Sequence, residues 1–107
     1  NSTNRNNIAR LNLDGSIDTS FDVGSGTDNP VYSIAIYPST DPNGNAGKVL
    51  ISGDFTTVNG FNRNRVARLN QDGSVDTSFD PGTGANDSVR SVAIDASGRA
   101  VLGGYFT

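Results

Sequence analysis

The chain has no cysteine, methionine, tryptophan or histidine, and although 11 residues are acidic, none is glutamate. Each gap removes a class of answer. Without Cys there are no disulfides and no thiolate metal sites, so stability has to come from packing or from ions. Without His, Cys or Glu there is no standard base to activate a hydroxyl. The chain is therefore read as non-catalytic, with no catalytic, metal or cofactor-binding residue assigned. Cations are few and scattered, 8 in all against a net charge of −3, which argues against nucleic acid as a partner. No run approaches the ~20 apolar residues of a membrane helix, and membrane insertion is not expected. The opening Asn1-Ser2-Thr3-Asn4-Arg5 lacks signal-peptide form, so an address signal, if there is one, would lie outside these residues.

The same gaps disfavour helix. Asp, Asn, Gly, Ser and Thr bond locally in turns, while the strong helix formers Glu and Met are missing and Lys occurs once. With 34% apolar residues in 107, the core is modest, and short strands joined by polar turns are the natural way to bury it.

What is present is a repeat. IARLNLDGSIDTSFD at 8–22 returns as VARLNQDGSVDTSFD at 66–80, and VYSIAI at 31–36 as VRSVAI at 89–94, both offset by 58. KVLISGDFT at 48–56 returns as RAVLGGYFT at 99–107, offset by 51, so the first copy carries seven extra residues within 38–47. That Pro, Asn and Gly cluster reads as a lengthened surface loop, where added length costs little entropy. The copies divide the chain into 1–57 and 58–107, and a core period near 51 suits a propeller blade. In copy one the candidate strands are 31–37, 48–55, 8–12 and 17–21. The first two keep apolar or small residues on both faces, the pattern of strands covered on both sides, and Ser33, Ala35, Ser52 and Gly53 would let sheets approach closely.

The turns allow a sharper prediction. Asp-Gly between alternating runs suggests a three-residue hairpin loop with Gly15, or Gly73, in the left-handed region. Leu11 then faces Ile17 and Arg10 faces Asp18. The second copy repeats this with Leu69 opposite Val75 and Arg68 opposite Asp76, whereas a two-residue loop would set Leu11 against Asp18.

With ARLNxDGSxDTSFD, SxAI and VLxxGxFT each occurring twice in order, the chain resembles the bacterial delta-60 repeat, a β-propeller family, across essentially all of 4–107. It departs from the family pattern at Tyr37-Pro38, where a short turn gives way to the insert. The resemblance implies an all-β fold of tandem four-stranded antiparallel blades, here two repeats of an incomplete ring. It also implies an extracellular or bacterial cell-surface setting, and it supplies no catalytic motif. Closed rings use about four blades or more, so other repeats of the same protein or identical chains must complete the propeller. The expected role is a scaffold or adhesive surface, with a cell-surface protein or glycan as further partner. The alternatives are a propeller lectin assembled from several chains and a structural subunit of a filament or surface layer.

Several groups invite a functional reading, and each has a plainer one. Asn12, Asp14, Ser16 and Asp18, with Asn70, Asp72, Ser74 and Asp76, offer oxygen ligands around a Gly, but the spacing is not that of an EF-hand and its closing Glu is missing; turn capping is the plainer reading. The glycines after Asp22 and Asp80 lack the Lys and helix of a phosphate loop. Phe21, Phe55, Phe79 and Phe106 recur at equivalent positions and are read as core. Tyr32, Tyr37 and Tyr105 do not recur and are the expected exposed aromatics for sugar binding. The loops 38–47 and 57–63 are the expected partner surfaces. The glycosylation triplets Asn1-Ser2-Thr3 and Asn86-Asp87-Ser88 are common by chance in such a chain.

Overall fold

The computed structural model describes residues 8 to 81 and 84 to 105, and no helix forms among them. The strands are β1 (Val31–Ile36), β2 (Val49–Gly53), β3 (Thr57–Val58), β4 (Phe61–Asn62), β5 (Val66–Leu69), β6 (Val89–Ile94) and β7 (Ala100–Gly104). The fold is all-β and every pairing is antiparallel. The central sheet has the order β1-β2-β5, and a single bridge from Leu69 to Val75 marks a fourth position beyond β5. Hydrogen bonding therefore runs out of phase with the sequence period, because β1 and β2 belong to the first copy and β5 to the second. The expected strands at 8–12 and 17–21 reduce to one bridge, Leu11 to Ile17.

The hairpin register is as the sequence predicts. Asn12 N donates to Ser16 O, Gly15 N to Asn12 O and Asp18 N to Arg10 O, and the 68–76 hairpin repeats all three bonds. This sets Arg10 Nε 2.9 Å from Asp18 Oδ2 and Arg68 Nε 2.8 Å from Asp76 Oδ2. The second pair is the more buried, and Lys48 Nζ adds a second ion pair to Asp76 at 2.9 Å.

β2 is buried at every residue, as its two-sided apolar pattern requires. Val49, Ile51, Ala67 and Leu69 join Ile8, Phe21, Val23, Phe55 and Val58 on one side, while Leu50 and Val66 join Tyr37, Val89 and Val92 on the other. β1 departs from the expected two-sided burial: Tyr32, Ile34 and Ile36 are exposed. The reason is positional, since Ile8 and Phe21 cover only the β2 part of that face. The close approach at Gly53 is to the paired strand of its own sheet and not between sheets, as a Cβ there would lie 2.1 Å from Pro30 O, next to its partner Val31.

Gly15 and Gly73 both sit at φ +91°, but a Cβ on Gly15 meets nothing within 4 Å, whereas one on Gly73 meets the Asp22 backbone at 2.6 Å. Gly15→Ala should cost roughly 1–2 kcal/mol for the left-handed backbone alone. Gly73→Ala should cost clearly more in the same urea titration, because the clash adds to the strain. Removing Asp76 leaves Arg68 and Lys48 half-buried and unpaired, so Asp76→Ala should lose roughly 3 kcal/mol, and the more exposed Asp18→Ala far less.

Candidate functional site

The faces of the two main sheets come first, because the repeat lets one be compared with the other. Inside the chain, β1 and β2 present Ser33, Ala35 and Leu50 to β6 and β7, which answer with Val92, Ile94, Ala100 and Leu102. Ser33 Oγ accepts a bond from Val92 N at 3.3 Å across this joint. The repeat equivalents of both halves recur at the two outer faces. Ser91, Ala93, Val101 and Gly103, the counterparts of Ser33, Ala35, Leu50 and Ser52, are exposed on the far side of β6 and β7. Ile34 and Ile36, the counterparts of Val92 and Ile94, are 48% and 58% exposed. Beside them lies an apolar cavity of about 70 Å³ whose walls include Ile8, Phe21, Ile34, Ile36 and Val49. At the inner joint the equivalents Val66, Phe79, Val92, Ile94 and Ala100 cluster with Leu50. Leu50 corresponds to Val101, which is 54% exposed.

The Asp turns are spent on their own backbones. Asp14 Oδ1 accepts from Ser16 N at 3.0 Å and Ser16 Oγ at 2.6 Å, and Asp72 does the same with Ser74. These bonds hold both carboxyls below their ordinary value. Asp18 is committed to Ser20 and Arg10, so the alternating oxygens predicted from the sequence act as caps. Asp22 Oδ1 likewise caps Gly24 N, which makes the glycine segment after it a turn. Gly82 and Thr83 of the second glycine segment, Phe106 and the Asn1 triplet lie outside the described residues. In the other triplet Ser88 is buried.

The aromatics divide differently from expectation. Phe21 and Phe55 belong to the core on one side of β2, and Phe79 packs against the cluster on the other side. Tyr37 is only 1% exposed, because Gly47 N and Lys48 O bond its backbone and the Arg68 guanidinium lies 5.4 Å over its ring. Its repeat counterpart is Asp95, so non-recurrence signalled a larger local core and not a surface ring. Tyr32 and Tyr105 are exposed, at 40% and 70%. They flank Arg90, whose Cζ lies 4.6 Å from the Tyr32 ring centre and 5.2 Å from that of Tyr105. Tyr32 Oη donates to Asp54 Oδ2 at 2.5 Å, and Ser88 Oγ donates to Asp54 Oδ1. The Ser88 and Tyr32 bonds lower the Asp54 carboxyl, and the same Asp54 bond raises the Tyr32 phenol. Sequence reasoning missed Arg90 and Asp54 in this group. Their signal was available, since Arg90 is the counterpart of Tyr32 and Asp54 that of Tyr105.

The loop at 38–47 is tied down. Asp41 Oδ2 caps Asn43 N and Asn45 N, and the Asn43 side chain donates to Ser97 O at 2.8 Å on the β6–β7 turn. The 57–63 tract is the β3–β4 hairpin, with Asn59 and Gly60 both at positive φ, and Asn59 Oδ1 accepts from Ser25 N. Both loops bridge segments far apart in sequence.

The described residues form an all-β fold of antiparallel sheets. The family described as a β-propeller domain of unknown function (DUF5122) matches residues 1–21 and 47–79, and the chain belongs to it. The matched stretches end on Phe21 and Phe79, equivalent points of the repeat. No curated protein and no solved structure matches the chain significantly.

The carboxylates set the acid limit of the fold. Burial works against the charge on Asp28, but bonds from Thr57 N, Thr56 Oγ and Thr56 N prevail and bring it from 3.8 down to about 2. The Arg99 backbone bond leads in lowering Asp95 to about 2, and Asp76 is lowered by Ser78, Lys48 and Arg68 against the cost of burial. The folded state binds these protons less tightly than the unfolded chain, so the stability they contribute is complete above the ordinary carboxylate value and drains away as pH falls through the folded values. The melting temperature should hold from neutral pH to about 4 and drop between about 4 and 2, while Asp28→Asn should blunt the drop.

Proposed function

We propose that this chain is a delta-60-type segment of a non-catalytic bacterial β-propeller, and that its outer faces dock onto further copies of the same repeat. In this reading each blade has four antiparallel strands, the fourth at Val75. The propeller serves as a rigid extracellular or cell-surface scaffold of a larger secreted protein, whose rim meets a surface protein or glycan. The supporting observation is that the two open faces are the two halves of the joint the chain already contains. Val101 is the counterpart of Leu50, and the cavity beside Ile34 and Ile36 is the counterpart of the seat around Leu50. Such a face pairing is head-to-tail, so it closes a ring or extends a filament according to the angle per repeat. Other repeats of the same polypeptide or identical chains are the occupants.

The chain has no native Cys, so cross-linking tests this without background. The inner contact of Ser33 with Val92 maps to Ser91 with Ile34 across the outer joint. Oxidised Ile34→Cys/Ser91→Cys protein should form head-to-tail covalent multimers at high concentration, and neither single variant should. A folded double variant that stays monomeric, or an Ile34→Cys variant that links to itself, contradicts the docking.

A further inference from the structure

We propose that Tyr32, Asp54, Arg90 and Tyr105 form a binding site for a carboxylated sugar, a uronic-acid unit of an acidic glycan. All four residues lie within one chain.

The backbone builds it. β1 and β6 each carry a register shift at the same point, between Val31 and Ser33 and between Val89 and Ser91. The residues displaced by these bulges are Tyr32 and Arg90, and a bulge re-aims the side chain it carries. Opposite them, the strands leave β2 and β7 at Asp54 and Tyr105, whose N–H groups bond Pro30 O and Ser88 O at 3.0 Å in matching geometry. Gly53 and Gly104 permit the approach, since a Cβ on either would fall within 2.3 Å of a carbonyl oxygen. Two pairs of equivalent backbone positions thus hold unlike side chains at one end of the paired sheets, Tyr32 with Arg90 and Asp54 with Tyr105.

The chemistry selects the ligand. The Arg90 Cζ lies over both the Tyr32 and the Tyr105 ring, and among the described residues its N–H groups donate no hydrogen bond. A planar donor edge held in place is suited to bidentate binding of a carboxylate. Asp54 holds one bond on each oxygen, from Tyr32 and Ser88, and keeps lone pairs for further donors. It repels a bare anion but accepts hydroxyls. A ligand with a carboxylate for Arg90 and hydroxyl groups for Asp54 satisfies both, and an acidic peptide side chain offers only the first. The Tyr105 ring, 70% exposed, retains area for the apolar face of a pyranose.

Calorimetry of the full chain with trigalacturonate tests the assignment against neutral galactotriose and an oligo-aspartate peptide. Trigalacturonate should bind with an affinity that falls as salt rises. Arg90→Gln should weaken it about tenfold or more, and Tyr105→Ala should weaken it while the melting temperature of both variants stays near that of the parent. Equal binding of galactotriose, equal or tighter binding of the peptide, no saturable binding of trigalacturonate, or an unaffected Arg90→Gln variant would each overturn it.

Discussion

Everything in this structure depends on β2 being covered on both faces. Its five residues are all buried, and no single sheet can do that for itself. Val49 and Ile51 need Ile8 and Phe21 from an earlier segment, and Leu50 needs Val92 from a later one. Each large apolar side chain withdrawn from water is worth about 1.5–3 kcal/mol, so a sheet with one wet face forgoes a large part of its stabilisation. Stability is thus a property of neighbouring repeats, which is the logic of stacked arrays.

The sheets are also stapled along their outer rims. Arg10 Nη1 donates to Gln71 O, Asp22 N to Asp72 O, and Gln71 Nε2 to Ala46 O, so the second Asp-Gly hairpin is tied both to the first hairpin's segment and to the 38–47 loop. The Arg68, Asp76 and Lys48 group fixes the second hairpin at its base, with Arg68 also stacked on Phe79. In a chain whose apolar content is low, these polar staples align the sheets that the few apolar side chains then hold. At the bulged ends of β1 and β6, where Ser88 Oγ donates to Asp54 across the two sheets, the repeat carries Tyr in one copy and Arg in the other.

Much of the fold was legible because it is local. The hairpin loop length, the left-handed glycines and the Arg-Asp pairs follow from which residues alternate on either side of Asp-Gly, and all of them are present. The all-β class follows equally from composition. What was not legible depends on long-range company. The pairing of β2 with β5 instead of with 8–12 of its own copy cannot be read from periodicity, because both segments share one pattern. Tyr37 looked exposed because it does not recur, yet Arg68 and the lengthened loop enclose it. Arg90 was missed as a site residue because its partners arrive from β1 and from the end of β7, and only its equivalence to Tyr32 in the repeat pointed to it. The loop at 38–47 is the surface loop the sequence predicts, but its tie through Asn43 to Ser97 was not legible.

Amide hydrogen exchange offers the most direct measurement, comparing the chain alone with a tandem fusion of two copies in repeat register. In the chain alone β2 should exchange slowest and β7 much faster, because the far face of β7 is open. In the fusion, β7 of the leading copy should slow toward the level of β2. Equal protection of β7 in both proteins would contradict the dependence of each sheet on its neighbour.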